Sequence, residues 1–257
     1  MPIATRVPPS ALPWSGEDLS AIICDLDGVI TDTAAVHATA WKDLFDEYLR
    51  TRAARDGTPF VPFTEADYLD HVDGKPRYDG VRDFLAARGI TLPEGDPGDD
   101  PDAETVCGLG NRKNMAFNDV IDRDGVTVFE GAVALVRGLA EAGWRTAVVS
   151  SSKNCGPVLE RVGLTDLFEV RVDGLYAAAA GLPGKPAPDT YLEAARLLKV
   201  APERAVMVED AIVGVQSGRD GGFGVVVGID RGAGADSLRD NGAHIVVKDL
   251  GDLLRDN

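Results

Sequence analysis

Short runs of consecutive apolar residues, rich in Val and Ile, recur along this chain and lie mostly in its second half. They fall at residues 21–24, 146–149, 168–172, 205–208, 225–227 and 244–247. A run of this length without alternation predicts a strand buried on both faces, as in a parallel sheet. Between the runs the spacing changes to a helical period. Residues 132–142 are closed by Gly143, and residues 189–199 place Tyr191, Leu192, Ala195 and Leu198 on one face. Residues 211–219 are closed by Gly221 and Gly222. Strand and helix in alternation predict an α/β, doubly wound core with a mostly parallel sheet.

The alternation stops for about a hundred residues after the first strand. That interval carries no strong β run, and its pieces read as helices at 33–55, 64–71, 78–87 and 106–121. Pro-, Gly- and Asp-rich connectors separate them, residues 92–102 among these. The expected organisation is a core made of 21–33 and 130–257, with an all-helical domain, 34–129, inserted into it. Residues 1–20 contain Pro2, Pro8, Pro9, Pro13 and Gly16 and no apolar stretch, so they read as a flexible arm and not as a signal peptide.

Composition narrows the partners. The 257 residues carry 26 Lys and Arg against 42 Asp and Glu, a formal charge of -16. Nucleic acid and anionic membranes demand net positive surface, so neither is an expected partner. An anionic small molecule would need a local cluster of cations. Cys24, Cys107 and Cys155 are too few and too scattered for a disulfide framework or a zinc site, and Cys24 reads as a small buried hydrophobe. No stretch approaches the roughly 18 apolar residues of a membrane span. A cytoplasmic location is expected; oligomeric state is not legible.

Doubly wound sheets bind ligands at the carboxyl ends of their strands. Here the first predicted strand runs into Asp25-Leu26-Asp27-Gly28-Val29, and the second into Ser150-Ser151-Ser152-Lys153-Asn154. The third is followed by Gly184-Lys185-Pro186-Ala187-Pro188-Asp189, and the fourth ends in Glu209-Asp210. Asp25, Glu209 and Asp210 offer the hard oxygen ligands that Mg²⁺ prefers. Lys185 and Ser150 supply donors for phosphoryl oxygens. A carboxylate can be the nucleophile of phosphoryl transfer, and a second one two positions away can move the proton.

These motifs, in this order, resemble the four motifs of the haloacid-dehalogenase-like superfamily. Thr31-Asp32-Thr33, His37, Ala40-Trp41-Lys42 and the Ser150 and Lys185 loops narrow the resemblance to its β-phosphoglucomutase branch. The resemblance covers about residue 21 to the C-terminus, and it implies that the inserted helices form a cap. It implies Asp25 as nucleophile, Asp27 as general acid and base, and Ser150 and Lys185 as further catalytic groups. Asp25, Glu209 and Asp210, with the Asp27 carbonyl, become the Mg²⁺ ligands. Gly74 and Arg77 are matched to a segment that grips a second phosphate, and Lys113 to a basic segment that contacts substrate. Thr33 and His37 match the hinge, and Ser152, Lys153 and Asn154 fall on substrate. The implied function is a Mg²⁺-dependent phosphomutase acting on a small sugar phosphate, exchanging β-glucose 1-phosphate and glucose 6-phosphate through an aspartyl-phosphate and a sugar bisphosphate. A sugar-phosphate phosphatase on the same scaffold is the alternative, and a non-catalytic sugar-phosphate sensor a third reading, disfavoured by the Asp25–Asp27 pair.

Plainer roles stand beside these. Ser150 or Ser152 would serve equally as a helix cap, and His37 as an ordinary packed histidine. Arg77 and Lys113 would serve as solvated charges, and Trp41 as core packing. His71 and His244 read as structural. The connectors at 56–62, 92–102 and 173–183 look longer than in compact relatives, which bears on the choice of sugar.

Overall fold

The computed structural model describes residues 12–14 and 18–254. The chain separates into two compact units, one formed by Met1–Asp32 with Val126–Asn257 and the other by Thr33–Gly125. Residues 126–129, expected with the helices, belong to the first unit.

That first unit is built on six parallel strands in the order β3-β2-β1-β4-β5-β6. They are β1 (Ala21–Asp25), β2 (Arg145–Val149), β3 (Val170–Val172), β4 (Ala205–Glu209), β5 (Val225–Ile229) and β6 (Ile245–Val247). Each grew from an apolar run, because a strand covered by helices on both faces has no polar side to alternate with. Ile22, Cys24, Val148, Val206 and Val208 face one core layer, with Leu135, Val136 and Leu139 of helix Glu130–Glu141. Ala21, Ile23, Ala147 and Met207 face the other, with Tyr191, Ala194 and Leu198 of helix Asp189–Leu198. Leu12 and Trp14 are buried in the first layer, so the arm expected at 1–20 is anchored there by two side chains. The rest of that arm, residues 1–11 and 15–17, lies outside the described residues.

Three short helices escaped the periodicity: Cys155–Arg161, Gly174–Ala180 and Ala235–Asp240. The second replaces an expected connector at 173–183. Asp173 nucleates it by accepting from the amides of Leu175 and Tyr176 at 3.0 and 2.9 Å.

Beyond β1 the chain makes a narrow ribbon with the segment that returns at 126–129. Asp32 N–H donates to Thr127 O at 2.9 Å, and Phe129 N–H to Ile30 O at 2.9 Å. Thr31 and Val128 form an antiparallel bridge between them.

The second unit is all-helical, with helices Ala34–Asp56, Glu65–His71, Arg77–Ala87 and Val106–Asp124. Its core joins Trp41, Leu44, Phe45, Phe63, Phe84 and Leu109. Trp41 stacks on Phe45 at 5.3 Å, which makes it packing and not a sugar platform. A Thr64–Asp67 capping box starts the second helix.

Candidate active site

The sheet places Asp25 and Glu209 side by side by register. Cys24 pairs with Val208, so the next residue on each strand, Asp25 and Glu209, leaves the sheet at the same level. Strand alternation turns both toward the layer that holds Tyr191, because Ile23 and Met207, two residues earlier on each strand, face it. This is the point where strand order reverses, the place where doubly wound sheets carry their ligands.

Lys185 lies between the two carboxylates. Its Nζ donates to Asp25 Oδ1 at 2.5 Å and to Glu209 Oε1. All three are buried, at 5%, 0% and 5% exposure for Asp25, Glu209 and Lys185, so water does not screen the pairing. Burial alone would push the lysine down, but Asp25 and Glu209 outweigh it and hold the ammonium well above its ordinary value. Burial raises the Asp25 carboxyl, opposed by Lys185 and reinforced by Glu209 and Asp27. One ammonium therefore serves more carboxylate charge than it can neutralise.

Glu209 is fixed on every side. Its Oε1 also accepts from the Tyr191 hydroxyl at 2.9 Å, and its Oε2 accepts from the amides of Asp210 and Ala211 at 3.0 Å each. Room for it exists because residue 214 is glycine: a Cβ there would lie 2.0 Å from the Glu209 carboxylate. Glu209 thus anchors Lys185. Tyr191, which the sequence shows only as one apolar position of a helix face, belongs to the site through its hydroxyl.

Asp27 is half-buried, and its Oδ2 accepts from Ser150 Oγ at 3.2 Å. Ser150 in turn accepts from the Ser152 amide at 3.1 Å, and Ser152 Oγ accepts from the Asn154 amide at 3.1 Å. The one hydroxyl proton of Ser150 is directed at Asp27. Ser152 and Lys153 occupy the turn that leads into helix Cys155–Arg161, whose N-cap residue is Asn154. No side-chain bond from Asn154 caps that helix.

Among the described residues, no three His, Cys, Asp or Glu side chains are grouped to hold a metal ion. Of the expected set, both Glu209 oxygens carry other partners here, beside the Asp25 and Asp210 carboxylates and the Asp27 carbonyl. Gly28 has φ +80, and a Cβ on it would sit 1.7 Å from Asp210 Oδ2. Only glycine lets the Asp210 carboxylate approach the β1 loop this closely. Two carboxylates and a carbonyl fit Mg²⁺, which takes few protein ligands and fills its shell with water and phosphate oxygens.

The other expected residues lie in the helical unit. Thr33 is buried and immediately precedes helix Ala34–Asp56. His37 stacks on Phe117 at 4.0 Å, and its Nδ1 meets the Lys113 ammonium. Lys113 is buried over the rings of Trp41 and Phe117 at 5.0 and 5.1 Å, so it is no solvated helix face. Arg77 opens helix Arg77–Ala87 after the turn at Gly74, where φ is +71. Its Nη1 makes a long 3.5 Å bond to Gly110 O. Burial lowers the Arg77 guanidinium from its ordinary value. Arg112 is committed to Pro101 O at 2.8 Å. His244 Nδ1 accepts from the Val226 amide at 2.9 Å, a structural role.

A family model described as haloacid dehalogenase-like hydrolase matches residues 19–222. The chain belongs to the haloacid dehalogenase-like hydrolase family. A β-phosphoglucomutase of Mycobacterium tuberculosis is 50% identical over 242 residues, covering 93% of this chain and 92% of that protein. A β-phosphoglucomutase of Bacillus subtilis is 30% identical over 236 residues, covering 91% and 92%. The crystal structure of β-phosphoglucomutase from Clostridium difficile shares the fold, with a TM-score of 0.72 at 24% identity over 91% of this chain and 93% of that one. The chain is accordingly a β-phosphoglucomutase-like enzyme of the haloacid dehalogenase family. No helix among the described residues is long and apolar enough to cross a membrane.

Proposed function

We propose that the enzyme is a phosphomutase that exchanges β-glucose 1-phosphate and glucose 6-phosphate, with Asp25 as the group that carries the phosphoryl. The observation that carries this reading is the buried Asp25–Lys185–Glu209 arrangement, with Asp27 two residues further on. The full-length similarity to proteins named β-phosphoglucomutase supports the choice of reaction.

In this scheme an Asp25 oxygen forms a bond to phosphorus as the bond to the sugar oxygen breaks. Asp27 gives a proton to the departing oxygen. In the reverse sense Asp27 takes the proton from a sugar hydroxyl, which attacks the aspartyl-phosphate and frees Asp25. Lys185, already fixed by Glu209, offsets charge on the transferring group with little reorganisation. Mg²⁺ held by Asp25, Asp210 and the Asp27 carbonyl would neutralise charge on the phosphoryl oxygens. Ser150 orients Asp27 through its hydroxyl. Exclusion of water by the helical unit, read as a cap, would protect the phosphoenzyme from hydrolysis.

The direct test is incubation with β-glucose 1-phosphate, a trace of the bisphosphate and Mg²⁺, with product analysis. Glucose 6-phosphate should accumulate and conversion should cease in chelator. Inorganic phosphate as the main product would establish the phosphatase alternative.

Arg77 separates the two activities. A mutase must hold a second phosphate, and a guanidinium stays charged and can bond two phosphate oxygens at once. Loss of such a charge-assisted contact costs about 2 kcal/mol. Arg77→Ala is expected to lower mutase turnover by about 30-fold, the same free energy expressed as a rate. Phosphate release from a small phosphate ester should change much less. Parallel measurement of both activities decides the matter, and equal losses would place Arg77 outside phosphate recognition.

A further inference from the structure

Arg231 reaches the loop after β1 from the carboxyl end of β5, two strands away in the sheet. It lies two residues beyond β5, in a turn fixed by Asp230, whose Oδ1 accepts from the amides of Gly232 and Gly234 at 3.1 Å each. From this base its guanidinium makes contacts in three directions. Nε donates to Gly28 O at 2.8 Å, and Nη1 donates to Lys248 O at 2.9 Å. Cζ lies 3.7 Å over the Phe129 ring, and Nη2 is 4.0 Å from Asp249. Phe129 itself bonds the Ile30 carbonyl, so the ring that Arg231 covers belongs to the ribbon that follows the loop.

Gly28 is the residue after Asp27. Its N–H donates to Thr31 O at 2.7 Å, and the amides of Ile30 and Thr31 both return to Leu26 O at 2.9 Å. The turn is thus closed by its own amides, while its outward carbonyl is taken by Arg231. A planar fork carrying two carbonyl bonds and an aromatic stack fixes direction as well as distance.

We propose that Arg231 is a positioning residue for Asp27. It holds the Gly28 carbonyl, the oxygen of the Gly28–Val29 peptide, and thereby fixes the backbone that follows directly on Asp27, so that the Asp27 carboxylate is set for proton transfer. This rests on the reading of Asp27 as general acid and base. Small displacements of a proton-transfer group are costly, since an error of about 1 Å can lower a rate by about 10²-fold.

The test compares the unmodified enzyme with Arg231→Met, Arg231→Lys, Asp27→Asn and the Asp27→Asn/Arg231→Met double variant. Two quantities are measured: amide hydrogen exchange of residues 28–31, and kcat and KM with β-glucose 1-phosphate. Arg231→Met should speed exchange of these amides and lower kcat by about 10-fold or more, with KM little changed, as expected for a displaced proton-transfer group. It should add almost nothing in the Asp27→Asn background, because coupled residues are not additive. Arg231→Lys keeps the charge and one donor and should lie between; if Arg231→Met does not fold, the lysine variant carries both comparisons. Unchanged exchange in the loop, or kcat losses that add fully to those of Asp27→Asn, would overturn the proposal. Asp27→Asn with the activity of the unmodified enzyme would overturn the acid–base reading beneath it. Absence of turnover in the unmodified enzyme would overturn the proposed reaction.

Discussion

Asp25→Asn is expected to abolish turnover while the fold survives. The side chain keeps its shape at the end of β1, but an amide is a poor nucleophile and a weaker oxygen ligand than a carboxylate. The substitution also removes one buried negative charge from a site where a single ammonium already faces two carboxylates. Stability should therefore be nearly maintained, and Lys185 remains paired with Glu209. The measurement is a single-turnover incubation with labelled substrate, followed by acid quench and mapping of the phosphorylated peptide. Label on the peptide containing Asp25 in the unmodified enzyme, and none in the variant, is the expected result. Label elsewhere would remove Asp25 from its role.

Lys185→Met should damage both activity and folding, and the folding effect has a pH signature. Removing one partner from a buried ion pair costs about 3–5 kcal/mol, because the remaining charge is left unpaired. In the variant Asp25 and Glu209 face each other in an apolar layer without a cation. The Asp25 carboxyl, already raised by burial in the unmodified enzyme, then loses the ammonium that opposes that rise. With acids raised in this way the folded state binds more protons than the unfolded one, so stability falls as pH rises. In the unmodified enzyme the Lys185 shift has the same sign but a far higher window: the folded lysine is held above its unfolded value of about 10.4. That contribution is complete below the unfolded value and is lost only as pH climbs through the folded one, outside the working range. Unfolding curves at pH 5 and pH 8 should show the variant's deficit shrinking at the lower pH. An equal deficit at both would show that the ammonium is not what opposes the rise at Asp25.

The core strands were legible because a parallel sheet buried on both faces writes itself as unbroken apolar runs. The helices Ala34–Asp56, Arg77–Ala87 and Val106–Asp124 of the inserted unit and the helix ahead of β2 were legible from their period. Helices such as Gly174–Ala180 were not, since seven residues span two turns and the signal that starts this one is a single Asp173 cap. For the site, the acidic motifs marked the strand ends correctly. Their division of labour was hidden: Glu209 and Asp210 are adjacent carboxylates, and nothing in their letters says which turns into the sheet layer toward Lys185. Strand parity decides it, and parity depends on where the strand begins. Tyr191 and Arg231 were missed for a related reason. A tyrosine on an apolar face reads as core until its hydroxyl finds a carboxylate. An arginine two residues past a strand reads as surface until a distant loop offers a carbonyl.

The ribbon between residues 30–32 and 127–129 has a consequence for how such chains diversify. Its hydrogen bonds bring the two cut ends of the sheet unit together within that unit. From the standpoint of the sheet, the intervening segment is a loop whose closure is already met locally, and lengthening such a loop adds entropy cost only logarithmically. Helices can therefore be inserted, enlarged or exchanged at this junction without altering strand order, while Asp25 and Glu209 stay at the strand ends. The sheet unit and the inserted unit become separately variable parts of one gene.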